Sequence, residues 1–337
     1  MFFGWAQCSL LLTILVTSGC ASIAARRDRP AIAESRAVHF LIREVPAWSR
    51  NNGCFSCHNN GDGARALYSA AQKGYRIPAE ILADTTAWVT QPNRWDHNKG
   101  DPGFSDQRLA NIQFAASLLS ALDAGRAKDR QPLQEAARKV EADQAADGAW
   151  HIEPRNAVGS PATYGTTLAT HMALRTLKQA AVPGTRDTIR KAEAWLRERQ
   201  ADNVLTAAAL LLSSADESEK SASLNRWLAV IRSGQTQDGG WGPFADSPAE
   251  PFDTAVVLLA LAERRAEPGV EELVRRGRGF LAERQNPDGS WPATTRPSGG
   301  SSYAQRLSTT GWATLALLAT RASTKEPMER ATRIPGG

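Results

Sequence analysis

The sequence lacks a clustered run of basic residues, and this absence argues against a nucleic-acid partner. The net charge is +5, but the basic residues are spread along the chain and alternate with acidic ones, as in residues 190–199. Such interleaving is typical of a solvated helix face rather than of a stripe that follows a phosphate backbone. We therefore expect no nucleic-acid binding. With 42% hydrophobic and 22% charged residues, the composition is that of a globular protein.

The N-terminus lacks a hydrophobic run long enough to span a membrane. The run Leu10–Val16 is interrupted only by Thr13, and it is too short for a stable transmembrane helix. Small residues then precede Cys20, which resembles a bacterial lipobox, where cleavage leaves the cysteine as a lipid-bearing N-terminus. The sequence departs from that pattern at Thr17, where leucine is expected, and residues 1–9 contain no Lys or Arg. The alternatives are an ordinary secretory signal and an uncleaved anchor.

The lipobox-like segment gives the predicted organisation of the chain. Residues 1–19 form a lipoprotein-type signal peptide, residues 20–30 a polar tether, residues 31–322 the folded domain and residues 323–337 a loose tail. We expect an extracytoplasmic protein, on the periplasmic face, that is anchored to a membrane through a lipid on Cys20.

Cysteine is scarce, and its positions are informative. Of the four cysteines, Cys8 leaves with the signal and Cys20 is lipidated, so only Cys54 and Cys57 remain, in the motif Cys54-Phe-Ser-Cys57-His58. Cys-x-x-Cys-His is the attachment signature of c-type haem, in which the two thiols add to the haem vinyl groups and the histidine ligates the iron. The alternatives are a disulfide or redox pair and a metal site that includes His58.

Methionine is scarce as well, and this argues against an ordinary small cytochrome c. After the motif, the only methionines are Met172 and Met328, and neither lies in a cytochrome-like setting. We predict His97 as the sixth iron ligand, because it follows a turn expected at the same end of the molecule as His58. His151 follows a similar turn, and His39 is a weak candidate.

A repeated motif dominates the rest of the sequence. The pattern Gln-x-x-Asp-Gly-x-Trp occurs at residues 144–150, 235–241 and 285–291. These copies resemble the QW motifs of the terpenoid cyclase and protein prenyltransferase superfamily, and residues 276–291 fit the long form of that motif. The resemblance covers the chain from about residue 31 to about residue 321. It implies an all-α toroid, a ring of helical hairpins.

The periodicity of the chain supports the same fold independently. Six helix pairs can be placed, beginning with a helix over Ala31–Val45 that Pro46 ends. From the fourth pair on, the second helix is apolar nearly all round, and such a helix must be buried on all sides. Six inner helices inside six amphipathic outer ones meet that requirement, as an (α/α)6 barrel. The alternative is an open helical solenoid.

Residues 250–255 bear on catalysis. The stretch Glu250-Pro-Phe252-Asp253-Thr-Ala resembles the Asp-x-Asp-Asp-Thr-Ala motif of squalene–hopene cyclases, and the resemblance places Phe252 where that family has its general acid. Phenylalanine cannot donate a proton, so we argue against cyclisation started by protonation. Asp253 is expected to be a helix N-cap and is kept as a weak catalytic candidate. The prenyltransferase zinc site is also missing, because no cysteine follows Cys57.

The sequence leaves several functions open. The first is a haem-bearing lipoprotein that exchanges electrons with a redox partner. The alternatives are a non-catalytic toroid that binds an apolar or isoprenoid-like ligand, a protein-interaction scaffold, and a divergent cyclase or prenyltransferase. For a ligand cavity we predict Tyr164, His171 and Trp312 as lining residues.

Overall fold

Twelve α-helices account for most of the described chain in a computed structural model. The structure describes residues 8–98, 106–152, 158–214, 221–294, 296 and 300–321, with side chains from residue 29 onward except that of Ser221. The helices are α1 (Cys8–Asn52), α2 (Ala64–Gln72), α3 (Ala79–Val89), α4 (Gln107–Asp123), α5 (Gln131–Ala142), α6 (Thr166–Ala180), α7 (Arg186–Glu198), α8 (Val204–Ser213), α9 (Ser221–Ser233), α10 (Pro251–Ala262), α11 (Val270–Arg284) and α12 (Tyr303–Ala319).

The helices form two concentric rings. The even-numbered helices form the inner ring and the odd-numbered helices lie outside them. Each inner helix contacts the next one, and α12 packs against α2, so the inner ring is closed. In the outer ring, α1 contacts both α11 and α3. The predicted (α/α)6 toroid is confirmed, and the open solenoid is excluded.

Each copy of the repeated motif folds in the same way at the end of an outer helix. The tryptophan indole is fully buried, and its Nε1 donates to a backbone carbonyl ten residues earlier at 2.7 Å: from Trp150 to Val140, from Trp241 to Ile231 and from Trp291 to Leu281. The tryptophan backbone N–H donates to a threonine hydroxyl on the inner helix that follows: Thr170, Thr254 and Thr310. Each turn therefore ties one outer helix to its own inner partner.

The glutamine of each motif links neighbouring hairpins. Its Nε2 donates to the glycine carbonyl of its own turn and to a carbonyl of the next outer helix in the ring. In the last copy, Gln285 Nε2 donates to Ala33 O at 2.7 Å, and so joins α11 to α1 across the closure of the ring. Gly289 has φ +94°, and a Cβ there would lie 2.4 Å from Arg36 O, so only glycine fits.

The two ends of the ring differ. All three motif turns connect an outer helix to an inner helix, so they share one end, which we call the turn rim. The inner helices run from the turn rim toward the opposite end, which we call the mouth rim, and finish there. Arginines from neighbouring segments donate to the last carbonyls of the inner helices: Arg130 to Gln179, Arg264 to Ser214 and Arg278 to Leu317. These bonds satisfy carbonyls that a helix end leaves unpaired.

The first helix corrects one prediction. It does not stop at Pro46 but continues to Asn52, with Pro30 and Pro46 inside it, and its backbone includes the predicted tether. A proline inside a helix costs about 3 kcal/mol. Here Ala37, Leu41 and Val45 bury one face of the helix in the core, and tertiary packing outweighs that cost. No helix in the described part of the chain combines the length and the hydropathy needed to cross a membrane.

Two other helices begin in different ways. Asp106 is the N-cap of α4, and its side chain accepts from the N–H groups of Arg108 and Leu109. A short π-helix, Cys57–Gly63, leads directly into α2. The predicted tail, residues 323–337, lies outside the described residues.

Candidate functional site

A cavity of about 640 Å³ occupies the ring axis and opens at the mouth rim. Its lining comes from all six inner helices, and mostly from their C-terminal halves. The wall includes Leu212, Leu259 and Leu315, together with Ser69, Ser120 and Gln179. Charged residues, including Lys73, Asp123 and Glu263, stand around the opening. The cavity is therefore a cup, and its size is within the roughly 300–1,000 Å³ usual for small-molecule sites.

The floor of the cup is formed by Arg65, Trp312 and Met172. The Arg65 guanidinium lies over the Trp312 ring, with Cζ 4.2 Å from the ring centroid, and its Nη1 is 3.9 Å from Met172 Sδ. Below the floor, Trp312 meets Tyr164 and Phe252 edge to face, at centroid distances of 5.3 and 5.8 Å. All three rings are buried, so this cluster closes the ring axis toward the turn rim.

Beneath the floor, Asp62 is the centre of a buried hydrogen-bond network. The Tyr164 hydroxyl donates to its Oδ1, and its Oδ2 accepts from Gln113 Nε2 at 2.9 Å and from Ser308 Oγ at 2.7 Å. The carboxylate is only 1% exposed. Gly311 permits this placement, because a Cβ there would lie 2.8 Å from Asp62 O, so α12 can approach the turn before α2 only with glycine. Three donors therefore satisfy the oxygens of this buried carboxylate.

The hydrogen-bond network around Asp62 extends to the Cys-x-x-Cys-His motif. His58 Nδ1 lies 2.7 Å from Ser308 Oγ. Because Ser308 donates its proton to Asp62, it must accept from His58, and this assigns the proton of the neutral ring to Nδ1. His58 Nε2 is then the ring atom with a free lone pair. Burial lowers the pKa of His58 from its ordinary value, although the negative charge of Asp62 opposes this effect.

The loop that carries the two cysteines is held by its own polar groups. Ser56 Oγ accepts from the N–H groups of His58 and Asn59. Asn98 exchanges two hydrogen bonds with the backbone of Phe55, at 3.0 and 2.7 Å. Cys54 is buried, Cys57 is half-buried, and both are free thiols. Burial, with the charge of Asp62, raises the pKa of Cys57 to about 12, so this sulfur is a protonated thiol at neutral pH.

The other predicted histidines lie in separate places. His97 is exposed at the end of a 3₁₀ turn, Pro92–His97, next to the Asn98 that holds the cysteine loop. His151 is bound to Asp147 of its own turn, at 2.9 Å, and His39 is exposed on α1. His171 lies in the lining of the cup, and its pKa is lowered to about 3, first by burial and then by the nearby charges of Arg175 and Arg65. The described residues contain no group of three or more His, Cys, Asp or Glu arranged to hold a metal ion.

Asp253 is not the helix N-cap that the sequence suggested. Glu250 occupies the cap position, and Asp253 lies in the first turn of α10 with its side chain fully buried. Arg296 donates to Asp253 Oδ1 at 2.8 Å and to Glu250 Oε1 at 2.6 Å, so one guanidinium binds two carboxyl groups. Burial raises the pKa of Asp253 to about 7; Arg296 lowers it and Glu250 raises it further. The carboxyl lies outside the lining of the cup.

Sequence comparison assigns part of the chain to a known domain type. Residues 203–334 match the squalene-hopene cyclase C-terminal domain. Over 99 residues the chain is 34% identical to drimenyl diphosphate synthase from Streptomyces showdoensis, an alignment that covers 28% of this chain and 18% of that protein. The chain thus matches only a small part of this curated relative.

Solved structures match nearly the whole toroid. A variant of the type II terpene cyclase MstE from Scytonema, in complex with its product merosterolic acid A, superposes with a TM-score of 0.61 at 14% identity, covering 88% of this chain and 98% of that one. This chain has the terpene cyclase toroid fold. A protein from Actinoplanes gives a TM-score of 0.57 at 18% identity, covering 86% and 99% of the two chains. The predicted resemblance to the terpenoid cyclase superfamily is confirmed.

Two residues that organise the centre of this toroid were not predicted from the sequence. Asp62 sits in Asn59-Asn-Gly-Asp62-Gly, a polar segment of the kind typical of a turn or a helix start. Arg65 was not singled out, because one arginine in a short helix looks like surface charge. Tyr164 was expected in the cavity wall but lies beneath the floor, whereas Trp312 forms the floor itself. The signal that could have found Asp62 is its place at the start of an inner helix, where a charged side chain must face the ring axis or a neighbour.

Proposed function

We propose that the cup is a binding site for an isoprenoid-like ligand and that the toroid does not start a cyclisation by protonation from the Phe252 position. The cup itself is the observation that carries this proposal. Its apolar surfaces, on Trp312, Leu259 and Leu315, lie on the ring axis and are reached from the mouth rim. The relatives support the ligand class, since the Scytonema cyclase was solved with geranylgeranyl dihydroxybenzoate as substrate and the curated relative is named for a diphosphate.

Two features of the ring axis argue against acid-initiated cyclisation. Phe252 is fully buried against Trp312, so the side chain at the family's acid position touches neither water nor the cup. Burial raises the pKa of Asp253 to about 7, but Arg296 binds this carboxyl away from the cup lining. A general acid has to reach the atom that it protonates within hydrogen-bond distance. The structure therefore favours binding over a protonation step.

The test is occupancy of the cup in the full-length protein. Purified protein is extracted with organic solvent and analysed by mass spectrometry, and binding of farnesol is followed by tryptophan fluorescence. Ala262→Trp places a bulky ring in the lining near the mouth, whereas Ala142→Trp places the same ring on the exposed end of α5. We expect Ala262→Trp to lower the affinity for farnesol at least tenfold, on the order of 1.4 kcal/mol, and Ala142→Trp to leave it unchanged. Equal binding by both variants, or no binding by the wild type, would refute the proposal.

A covalent c-type haem at Cys54, Cys57 and His58 is our second proposal. It is favoured by the orientation of His58, whose Nδ1 is held by Ser308 and whose Nε2 is left for a metal. A bound haem would supply one-electron redox chemistry for a redox partner. The burial of Cys54 means that attachment has to precede closure of the loop. A pyridine haemochrome spectrum tests this in protein made beside haem-attachment machinery, with Cys54→Ala/Cys57→Ala as control. A colourless wild-type protein would refute it.

We also propose that the chain is anchored at the extracytoplasmic, periplasmic face of a membrane through a lipid on Cys20. The support is the lipobox-like sequence before that cysteine. Mass spectrometry of the mature N-terminus is the direct test, since diacylglyceryl and acyl groups on Cys20 give a large mass increment. Cys20→Ser is expected to release the protein into the soluble fraction. A mature protein that keeps residues 1–19, or that begins at another residue without lipid, would refute the anchor.

A further inference from the structure

Arg65 is a buried cation whose donors are largely unused. It is 4% exposed, in the first turn of α2, and it lines the floor of the cup. Its protein contacts in the described chain are the face of Trp312 and the sulfur of Met172. Both are soft, weak partners, and neither is an oxygen that accepts from a guanidinium fork. No salt bridge within 4.0 Å reaches Arg65 from the described carboxylates.

The carboxylate of Asp62 is already committed elsewhere. Asp62 is three residues earlier, but its two oxygens accept from Tyr164, Gln113 and Ser308. Buried arginine is normally satisfied by carboxylate, phosphate or carbonyl oxygens, because an unpaired buried charge is costly. The donors of Arg65 that face the cup therefore lack an acceptor that a ligand could provide.

The surroundings of Arg65 favour an anion. The face of Trp312 holds the guanidinium at 4.2 Å and restricts its rotation, so the donors are oriented before any ligand arrives. Next to Arg65, the wall offers apolar surface from Leu259 and Leu315. A ligand that fits both the Arg65 guanidinium and this apolar surface has an anionic group joined to an apolar chain.

We propose that Arg65 binds the carboxylate or phosphate group of the ligand at the floor of the cup, with the apolar chain of that ligand packed along the wall toward the mouth. This inference rests on the proposed ligand-binding function and names the class of ligand, an anionic isoprenoid. Carboxylate and phosphate both offer the paired oxygens that a guanidinium binds through two parallel hydrogen bonds.

The test compares three probes that share one chain. Farnesol, farnesoate and farnesyl monophosphate are titrated into the full-length wild type, and affinities are measured by calorimetry. We expect at least one anionic probe to bind about 10- to 100-fold more tightly than farnesol, the range for a hydrogen bond to a charged group. The two anions distinguish a carboxylate ligand from a phosphate ligand. This comparison needs no variant and does not depend on how substitutions fold.

Substitutions then test whether Arg65 is the source of the preference for an anionic probe. Arg65→Gln is expected to abolish the preference for the anion, while Arg65→Lys keeps part of the preference. Arg175→Gln, which removes a cation nearer the mouth, is the matched control and is expected to change the preference less than threefold. Thermal melts confirm that each variant is folded.

The outcomes separate this inference from the function on which it rests. Binding of farnesol without preference for either anion overturns the role of Arg65 and leaves the ligand-binding function standing. A preference that survives in Arg65→Gln also overturns it. Failure of all three probes to bind the wild type overturns the ligand-binding function itself.

Discussion

The buried carboxylate of Asp62 gives the most detailed prediction about stability. Asp62→Ala removes the acceptor of three buried donors, on Tyr164, Gln113 and Ser308. A buried polar group that loses its partner costs about 1–3 kcal/mol, so for three such groups we expect a loss of about 3–9 kcal/mol in the free energy of unfolding. This is a large part of the stability of a typical domain.

Asp62→Asn is the informative companion, because it keeps the volume and removes the charge. Gln113 Oε1 has no partner in the described structure, so its amide can flip and accept from the new Asn N–H group. Ser308 can rotate in the same way. We therefore expect a smaller loss of about 2 kcal/mol, from charged hydrogen bonds exchanged for neutral ones. Tyr164→Phe, which removes one donor, is expected to cost about 1–2 kcal/mol.

Urea unfolding of the four proteins measures these differences. The order of stability is expected to be wild type, then Tyr164→Phe and Asp62→Asn, then Asp62→Ala. In the double variant Asp62→Asn/Tyr164→Phe, the losses should not add, because both act on one network. If Asp62→Ala lost less than about 1 kcal/mol, or if the double variant were strictly additive, Asp62 would not be the centre of the network.

Three further predictions concern pH and ring closure. The pKa of Asp253 is raised to about 7, so the stability that its protonated form contributes is present at acid pH and is lost as pH rises toward 7. In thermal melts, the Tm of Asp253→Asn should therefore exceed that of the wild type at pH 8.5, and this difference should disappear at pH 5. The pKa of His171 is lowered to about 3, so the free energy of unfolding should decrease as pH falls below about 6.5, the value for the unfolded chain. His171→Asn should reduce this decrease in stability at acid pH. A variant with the same decrease as the wild type would contradict the lowered pKa of His171. Gln285→Ala removes two hydrogen bonds, one of which closes the ring, and should lower the free energy of unfolding in urea by about 2 kcal/mol. The control Gln237→Ala changes an exposed position in the second motif turn and should lower it by less than about 0.5 kcal/mol. Similar losses for both variants would refute the role of Gln285 in ring closure.

The toroid was predictable because its determinants are local and repeated. Each motif turn needs a glycine with positive φ and a tryptophan that folds back on its own helix, and these fixed residues recur in the sequence. The apolar inner helices required burial on all sides, and a closed ring provides it. The end of the first helix was not predictable, because the packing of Leu41 and Val45 overrides the local preference of Pro46.

The centre of the toroid was less predictable because it depends on contacts between distant segments. The buried network joins side chains from four of the six helix pairs, and these side chains meet only when the ring closes: Asp62, Gln113, Tyr164 and Ser308. Likewise, Arg296 lies in a loop 43 residues from Asp253, so the sequence offered a helix cap where the structure has an ion pair. The cysteine motif was recognised from its spacing, and haem attachment stays a prediction.

A structure of the full-length protein determined with farnesyl monophosphate tests the central claim most directly. We expect the isoprenoid chain to lie in the cup along Leu259 and Leu315, on the face of Trp312, with the phosphate oxygens within hydrogen-bond distance of Arg65. A ligand bound on the outer surface or at the turn rim, with the cup empty at saturating concentration, would contradict the account.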